Sequence, residues 1–212
     1  MKPVSSLLRL TQAAAVLSGP LLAFRAGKPD AGERLARAFE QLGPAYIKLG
    51  QMLATRPDVV GENVAQALEH LQDRLPPFSE AAARAEIARA FGKPVEQLFA
   101  GFGEPIAAAS IAQVHCAQTA DTPPVRAAVK ILRPRIRELF ARDLDALAWF
   151  ARMAETVSAE ARRLRPIAIV ETLAASVALE LDLRMEAAAA SELYERTRGE
   201  AEFRVPHIDW SR

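Results

Sequence analysis

Residues 43–58 read GPAYIKLGQMLATRPD, a segment with a proline near each end. Pro44 suits the first turn of a helix and Pro57 ends one, so the segment predicts a short helix. Residues three apart share a helical face, which places Lys48 and Gln51 together. Such a pair can reach a carboxylate or a phosphate, although an isolated Lys and Gln more often form a solvated helix face.

The composition is that of a globular protein. The 212 residues are 50% hydrophobic and 25% charged, which suits one ordinary domain or two small ones. With 27 basic and 26 acidic residues, the chain has no net field that would recruit nucleic acid. A single cysteine, Cys116, cannot form an internal disulfide, which favours a reducing compartment.

The first 26 residues contain Lys2, Arg9 and an apolar stretch over residues 13–24 that Ser18-Gly19-Pro20 interrupts. The stretch is too short and too broken to span a bilayer. A signal peptide remains an alternative, but its apolar region would be split. A peripheral amphipathic leader is equally compatible, so the expected location is cytoplasmic or peripheral on the inner membrane.

Helical periodicity fills the first hundred residues, and the pattern then changes to strands. Predicted helices cover residues 31–42, 44–57, 62–75 and 79–91, with a short turn over 94–99. After a boundary near 100–104, strands are predicted over 114–117 and 125–132. A helix over 136–155, one long helix over 166–198 and a last strand over 203–210 complete the prediction.

The stretch over residues 107–114 reads AAASIAQV and opens the first predicted strand. Compared with the phosphate-covering G-x-G-x-x-G-x-V loop of protein kinases, it has alanine in every glycine position. Such a loop lets backbone amides approach phosphates, and methyl groups fill part of that space. On these residues alone, ordinary small-residue packing is the commoner interpretation.

Lys130 ends the run Ala127-Ala128-Val129-Lys130, on the strand face opposite Val129 and Ile131. It is similar to the V-A-I-K lysine of protein kinases, whose amine pairs with nucleotide phosphates and with a helix glutamate. A lysine that ends a half-buried strand more often only extends its amine to solvent. The preceding alanine stretch, at the expected distance, favours the functional interpretation.

These motifs together resemble the UbiB family of atypical protein-kinase-like proteins, over about residues 33–210. Lys48, Gly50 and Gln51 match its K-x-G-Q signature, and its alanine-rich loop matches through Gln113-Val114-His115. The resemblance implies an α+β fold, in which a helical extension packs on an incomplete kinase-like small lobe made of an antiparallel sheet and long helices.

The resemblance also implies a division of the chain. Residues 1–30 would be a leader, with flexibility left open, and residues 31–100 the helical K-x-G-Q extension. Residues 101–212 would be the small lobe, truncated before the hinge and the large lobe.

Residues 180–188 match the family's E-x-D and R-x-E-A-A motifs. By resemblance, Glu186 pairs with Lys130, while Glu180 and Asp182 meet the K-x-G-Q helix and Lys48 reaches one of them. On a regular helix Glu180 lies about 200° round from Asp182, so both can aim at one point only if the helix is distorted. The implied nucleotide-binding residues are Ala107, Ala108, Ala109, Ser110, Ile111, Ala112, Lys130 and Glu186.

The resemblance implies a kinase-like ATPase that binds ATP with Mg²⁺ and supports ubiquinone biosynthesis at a membrane. Its implied partners are the nucleotide, an isoprenoid lipid and other ubiquinone-biosynthesis proteins, with peripheral membrane contact and no nucleic acid. The histidines lack ligand spacing, so no histidine metal site is predicted.

The catalytic-loop aspartate, the Mg²⁺-binding asparagine and the D-F-G motif of kinases do not occur in this sequence. The chain is therefore expected to be an N-terminal fragment that is inactive alone, with no catalytic residue of its own and with the metal ligands in the missing lobe. The alternative is a non-catalytic scaffold that binds an isoprenoid or a partner protein, or the product of a broken gene.

Overall fold

The computed structural model describes residues 3–71, 76–200 and 202–212. They form helices and one small antiparallel sheet, which confirms the predicted α+β class. In chain order the elements are α1 (Pro3–Arg25), α2 (Ala31–Leu42), α3 (Pro44–Ala54), α4 (Pro57–Val60), α5 (Glu62–Glu69), α6 (Glu80–Phe91), α7 (Val95–Leu98), β1 (Phe99–Ala108), β2 (Ala112–Thr119), β3 (Arg126–Leu132), α8 (Ile136–Val157), α9 (Ala159–Leu164), α10 (Pro166–Glu180) and α11 (Leu183–Arg196).

The chain forms two compact units that are each discontinuous in sequence. The first unit comprises residues 1–75 and 135–174, and the second comprises residues 76–134 and 175–212. Although α8 follows the sheet in sequence, it packs on α1 and α3 of the first unit. The functional divisions predicted at residues 30 and 100 stay a prediction.

Helices with clear end signals lie where the sequence predicts them. The helix predicted over residues 31–42 is α2. In α6 the hydroxyl of Ser79 accepts a hydrogen bond from the Ala82 amide, and Gly92 ends the helix at a φ of 65°. A side-chain cap at the start and a left-handed glycine at the end satisfy backbone groups that the helix leaves unpaired.

The helix predicted over 136–155 is α8, but the prediction was wrong in two places after it. The single long helix is two helices, because Leu181 and Asp182 interrupt it. The Asp182 carboxylate accepts a hydrogen bond from the Arg184 amide and so caps α11. The predicted last strand is also wrong, since residues 202–212 contain no strand. Part of the helix predicted over 62–75 falls on 72–75, outside the described residues, and α5 ends at Glu69.

A buried ion pair joins α1 to α8 in the first unit. The Arg9 Nε lies 2.6 Å from Oδ1 of Asp143, and its Nη2 lies 2.9 Å from Oδ2. The same guanidinium donates to the Leu42 carbonyl at the end of α2. The hydrogen bond to Asp143 raises the pKa of Arg9 despite its burial. Because an unpaired buried charge is costly, this contact fixes α1 on α2 and α8.

Gly50 of α3 lies against Phe39 of α2 and against Leu71, which follows α5. A Cβ atom at this position would overlap Leu71 Cδ1 and would lie 2.7 Å from Phe39 Cδ2. Next to it, the Gln51 Nε2 lies 3.5 Å from the Leu71 carbonyl oxygen. Two residues of the K-x-G-Q signature therefore pack α3 against its own unit.

In the part of the chain that the structure describes, none of the helices has the length and apolar content needed to cross a bilayer.

The packing of Gly50 predicts that Gly50→Ala lowers the free energy of unfolding by about 1–3 kcal/mol, the usual cost of overpacking. Gly19→Ala is the matched control, because a Cβ on this helical glycine would meet no atom within 4 Å. It should be neutral or should stabilise by up to about 1 kcal/mol through helix propensity. Urea unfolding of both variants measures the difference, and equal stabilities would contradict the packing argument.

Tyr46 is fully buried beside the Arg9–Asp143 pair. Among the described residues its hydroxyl has no hydrogen-bond partner. Burial, with a smaller contribution from the negative charge of Asp143, raises the pKa of Tyr46 to about 12. The folded state thus holds the phenol proton more tightly than the unfolded chain does.

Tyr46→Phe should leave stability at pH 7 unchanged or slightly higher, because no hydrogen bond is lost. In the native protein, the raised pKa makes stability fall as the pH rises from about 10 towards about 12. Tyr46→Phe should lack this part of the loss of stability at high pH. Urea unfolding between pH 9 and about pH 11.5 measures it, with Tyr194→Phe as the control, and parallel curves for Tyr46→Phe and native protein would refute the prediction.

Candidate nucleotide site

The register of the sheet places three residues of interest in one row. The strands run in the order β1-β2-β3, and Ala107 is opposite Val114, which is opposite Lys130. Directly opposed residues in antiparallel strands project from the same face. The two ends of the alanine stretch, Ala107 and Val114, and the strand lysine therefore lie in one row on the same face of the sheet.

The other face of the sheet is covered by α6 and α7. Val129 and Ile131 pack there, as the alternation of β3 predicts. The buried core on this face consists of Ala83, Ile87, Val95, Leu98, Phe99, Ala117 and Ile131. Lys130 is thus on the face that this core does not use.

The alanine stretch is the β1–β2 hairpin rather than a single loop. Ala107 and Ala108 end β1, Ala112 begins β2, and only residues 109–111 form the turn. The Ala109 amide donates to the Ala112 carbonyl at 2.8 Å, which closes the turn. Ser110 and Ala112 are buried, so the turn is tightly held.

Lys130 and Glu186 form an ion pair between β3 and α11. The Lys130 Nζ lies 2.7 Å from Oε1 and 2.5 Å from Oε2 of Glu186. The side chains are 38% and 56% exposed. An exposed pair of this kind contributes only about 0–1 kcal/mol to stability. The structure therefore brings the two predicted partners together without relying on them to hold the fold.

Two buried polar residues that sequence analysis did not select support the hairpin. The Gln113 side chain accepts from the Phe78 amide at 2.9 Å and donates to the Phe78 carbonyl at 3.2 Å. Its Nε2 also lies 2.7 Å from Nε2 of His115, whose Nδ1 lies 2.7 Å from the Gly103 carbonyl oxygen. An amide donor on Nε2 requires the proton on Nδ1, which then donates to Gly103. The sequence signal that could have identified them is their position in β2, on the same face as the buried Ala117.

Arg133 also went unselected. Its Nε and Nη2 donate to the Ala109 carbonyl at 2.9 and 2.8 Å, and Nη2 donates to the Pro76 carbonyl at 2.9 Å. Its backbone amide donates to the Ile111 carbonyl at 2.8 Å. No sequence pattern indicated these contacts, because their acceptors are backbone atoms.

The K-x-G-Q residues and the acids predicted to meet them belong to different units. Lys48 and Gln51 lie in the first unit, and Glu180 and Asp182 lie in the second. Glu180 accepts from the Ser176 hydroxyl at 3.5 Å. The interruption between α10 and α11 is the helix distortion that joint use of both acids requires. Their contact with Lys48 stays a prediction.

Within residues 3–71, 76–200 and 202–212, no group of three or more His, Cys, Asp or Glu side chains is arranged to hold a metal ion. The assignment of Mg²⁺ ligands to another part of the protein stays a prediction.

A three-stranded antiparallel sheet with a small-residue hairpin and a strand lysine paired to a helix glutamate is typical of the small lobe of protein-kinase-like proteins. Residues 70–212 match the ABC1 atypical kinase-like domain. The chain belongs to this family, which confirms the resemblance noted in its sequence.

Similar proteins agree with this assignment. The chain is 40% identical over 195 residues to the "Probable protein kinase UbiB" of Marinobacter nauticus, covering 92% of this chain and 35% of that one. It is 42% identical over 180 residues to the protein of the same name from Pseudomonas aeruginosa, covering 84% and 33%. The chain thus spans about a third of the length of these relatives.

A solved structure is also similar. The Rv3197–erythromycin complex from Mycobacterium tuberculosis has 29% sequence identity to the chain and a TM-score of 0.55. The likeness covers 76% of this chain and 39% of that one.

Proposed function

We propose that this chain provides the ATP-binding small lobe of an atypical kinase-like ATPase that supports ubiquinone biosynthesis. The observation that carries the proposal is the Lys130–Glu186 ion pair beside the alanine hairpin. In protein kinases a strand lysine held by a helix glutamate positions the nucleotide phosphates. The names of the relatives support the link to ubiquinone biosynthesis.

The Lys130 face of the sheet carries small side chains and a cation, which suit a nucleotide. Ala107, Val114 and Lys130 form one row on it, and Ala128 lies two residues before the lysine. Small side chains leave space for a planar base, while the Lys130 ammonium supplies positive charge for phosphates. Mg²⁺ would neutralise part of the phosphate charge, and its protein ligands would come from another part of the protein.

Lys130→Met should lower the affinity for ATP·Mg²⁺ at least tenfold, which corresponds to about 1.4 kcal/mol. Its unfolding midpoint without ligand should change little, because the lost ion pair is exposed. Lys93→Met is the matched control, since Lys93 is an exposed lysine of the same unit. Isothermal titration calorimetry gives the affinities and thermal unfolding gives the midpoints.

Thermal unfolding with ATP·Mg²⁺ also distinguishes the proposed function from the main alternative, a non-catalytic scaffold. A site occupied at a hundred times its dissociation constant stabilises the protein by about 2.7 kcal/mol, which thermal unfolding detects easily. Native protein without any shift at millimolar ATP·Mg²⁺ would favour a non-catalytic scaffold. Equal affinities for native protein and Lys130→Met would remove Lys130 from the site.

We further propose that α1 makes peripheral contact with an anionic membrane surface. One side of α1 is packed at Ala13 and Ala23, yet its exposed side chains are also apolar: Leu8, Leu21, Leu22 and Phe24. No acidic residue occurs in residues 1–29, whereas Arg25 and Lys28 are exposed. Exposed apolar side chains flanked by cations suit a helix that lies in the lipid interface.

Native protein should co-float with vesicles that contain phosphatidylglycerol and should bind neutral phosphatidylcholine vesicles more weakly. The double variant Leu21→Glu/Leu22→Glu should lose this binding, because it places charge on the apolar surface. Leu193→Glu, at an exposed leucine of α11, is the control and should bind normally. Unchanged flotation of the double variant would show that α1 is not the contact.

A further inference from the structure

Arg133 directly follows β3, and its guanidinium contacts the hairpin turn between β1 and β2. By strand alternation it continues the face of Ile131, which α6 and α7 cover, and not the face of Lys130. Its contacts agree, since the guanidinium lies 5.6 Å from the centre of the Phe78 ring, which packs against the same core. The guanidinium therefore approaches the turn from the side opposite the proposed phosphate site.

The guanidinium determines which way one peptide group of the turn faces. Two of its N–H groups donate to the Ala109 carbonyl, which therefore faces the guanidinium. Because a peptide group is planar and trans, its N–H points opposite to its C=O. The N–H of Ser110 is thus directed away from the guanidinium, and the Ala109 oxygen is held towards it.

This orientation matters for an anion. A carbonyl oxygen that faced the phosphates would repel them, whereas an amide N–H attracts them. A glycine loop can adopt the required peptide orientation at no steric cost, but alanine restricts that freedom. The Arg133 guanidinium is a fixed hydrogen-bond donor next to the turn. It holds the turn in one geometry, which a glycine loop would instead reach through its conformational freedom.

Arg133 is itself held in place. Its Nη2 also donates to the Pro76 carbonyl, and Gln113 binds the backbone of Phe78 through both its oxygen and its nitrogen. The planar fork of arginine can serve two carbonyls at once, which a lysine ammonium on a flexible stem does poorly.

We infer that Arg133 is a positioning residue for nucleotide phosphates, which presets the alanine turn by holding the Ala109 carbonyl towards its guanidinium. This inference rests on the proposed nucleotide site. In glycine-rich loops the flexible backbone itself lets the amides approach the phosphates. Here an arginine outside the nucleotide site would order the turn instead.

The test compares Arg133→Gln and Arg133→Lys with native protein, using the whole 212-residue chain. Both variants should lose affinity for ATP·Mg²⁺ by about tenfold, the effect of losing roughly one charge-assisted hydrogen bond. Affinity for adenosine, which has no phosphate, should change less than about twofold. Amide hydrogen exchange in residues 109–112 should be faster in both variants without ligand. Arg135→Gln, at an exposed arginine that pairs with Glu138, is the control and should behave as native protein.

Each other outcome overturns the inference for a stated reason. Full ATP affinity in Arg133→Lys with a loss in Arg133→Gln would show that positive charge alone acts. A parallel loss of adenosine affinity would show general damage to the lobe. Unchanged ATP affinity in both variants would show that the turn needs no preset, while native protein that binds no ATP would overturn the proposed function itself.

Discussion

The second unit depends on a small antiparallel sheet whose apolar core packs under one face. Side chains alternate along each strand, so the residues that bury Ile131 against α6 and α7 commit Lys130 to the opposite face. A shift of one residue in the pairing of β2 with β3 would exchange the two sets. Core packing therefore sets the position of the amine, and α11 needs to supply only Glu186 to orient it.

Buried polar contacts then make the hairpin rigid. Gln113 and His115 lie on the covered face, where unpaired polar atoms would be costly, and both are hydrogen-bonded there. Their partners are largely backbone groups of the segment before α6 and of β1. Gln113 and His115 thus fix β2 to β1 and to the segment before α6 more specifically than hydrophobic packing alone would. Arg133 adds similar hydrogen bonds at the turn.

The first unit shows that residues of a signature motif also serve local packing. Gly50 permits close approach of α3 to Phe39 and Leu71, and Gln51 reaches a nearby carbonyl. These contacts account for two motif residues by local packing. The acids predicted to meet Lys48 belong to the other unit, and that contact stays a prediction.

The sequence by itself determined the elements whose signals are local. The caps of α6 at Ser79 and Gly92 and the strand face of Lys130 follow from neighbouring residues, and the structure agrees. Only the tertiary structure decided contacts between distant positions. Arg9 and Asp143 are 134 residues apart, and no local sequence pattern around either residue indicates the other as its partner. The break at Asp182 also escaped prediction, because apolar periodicity continues across it while a single side-chain cap starts a new helix.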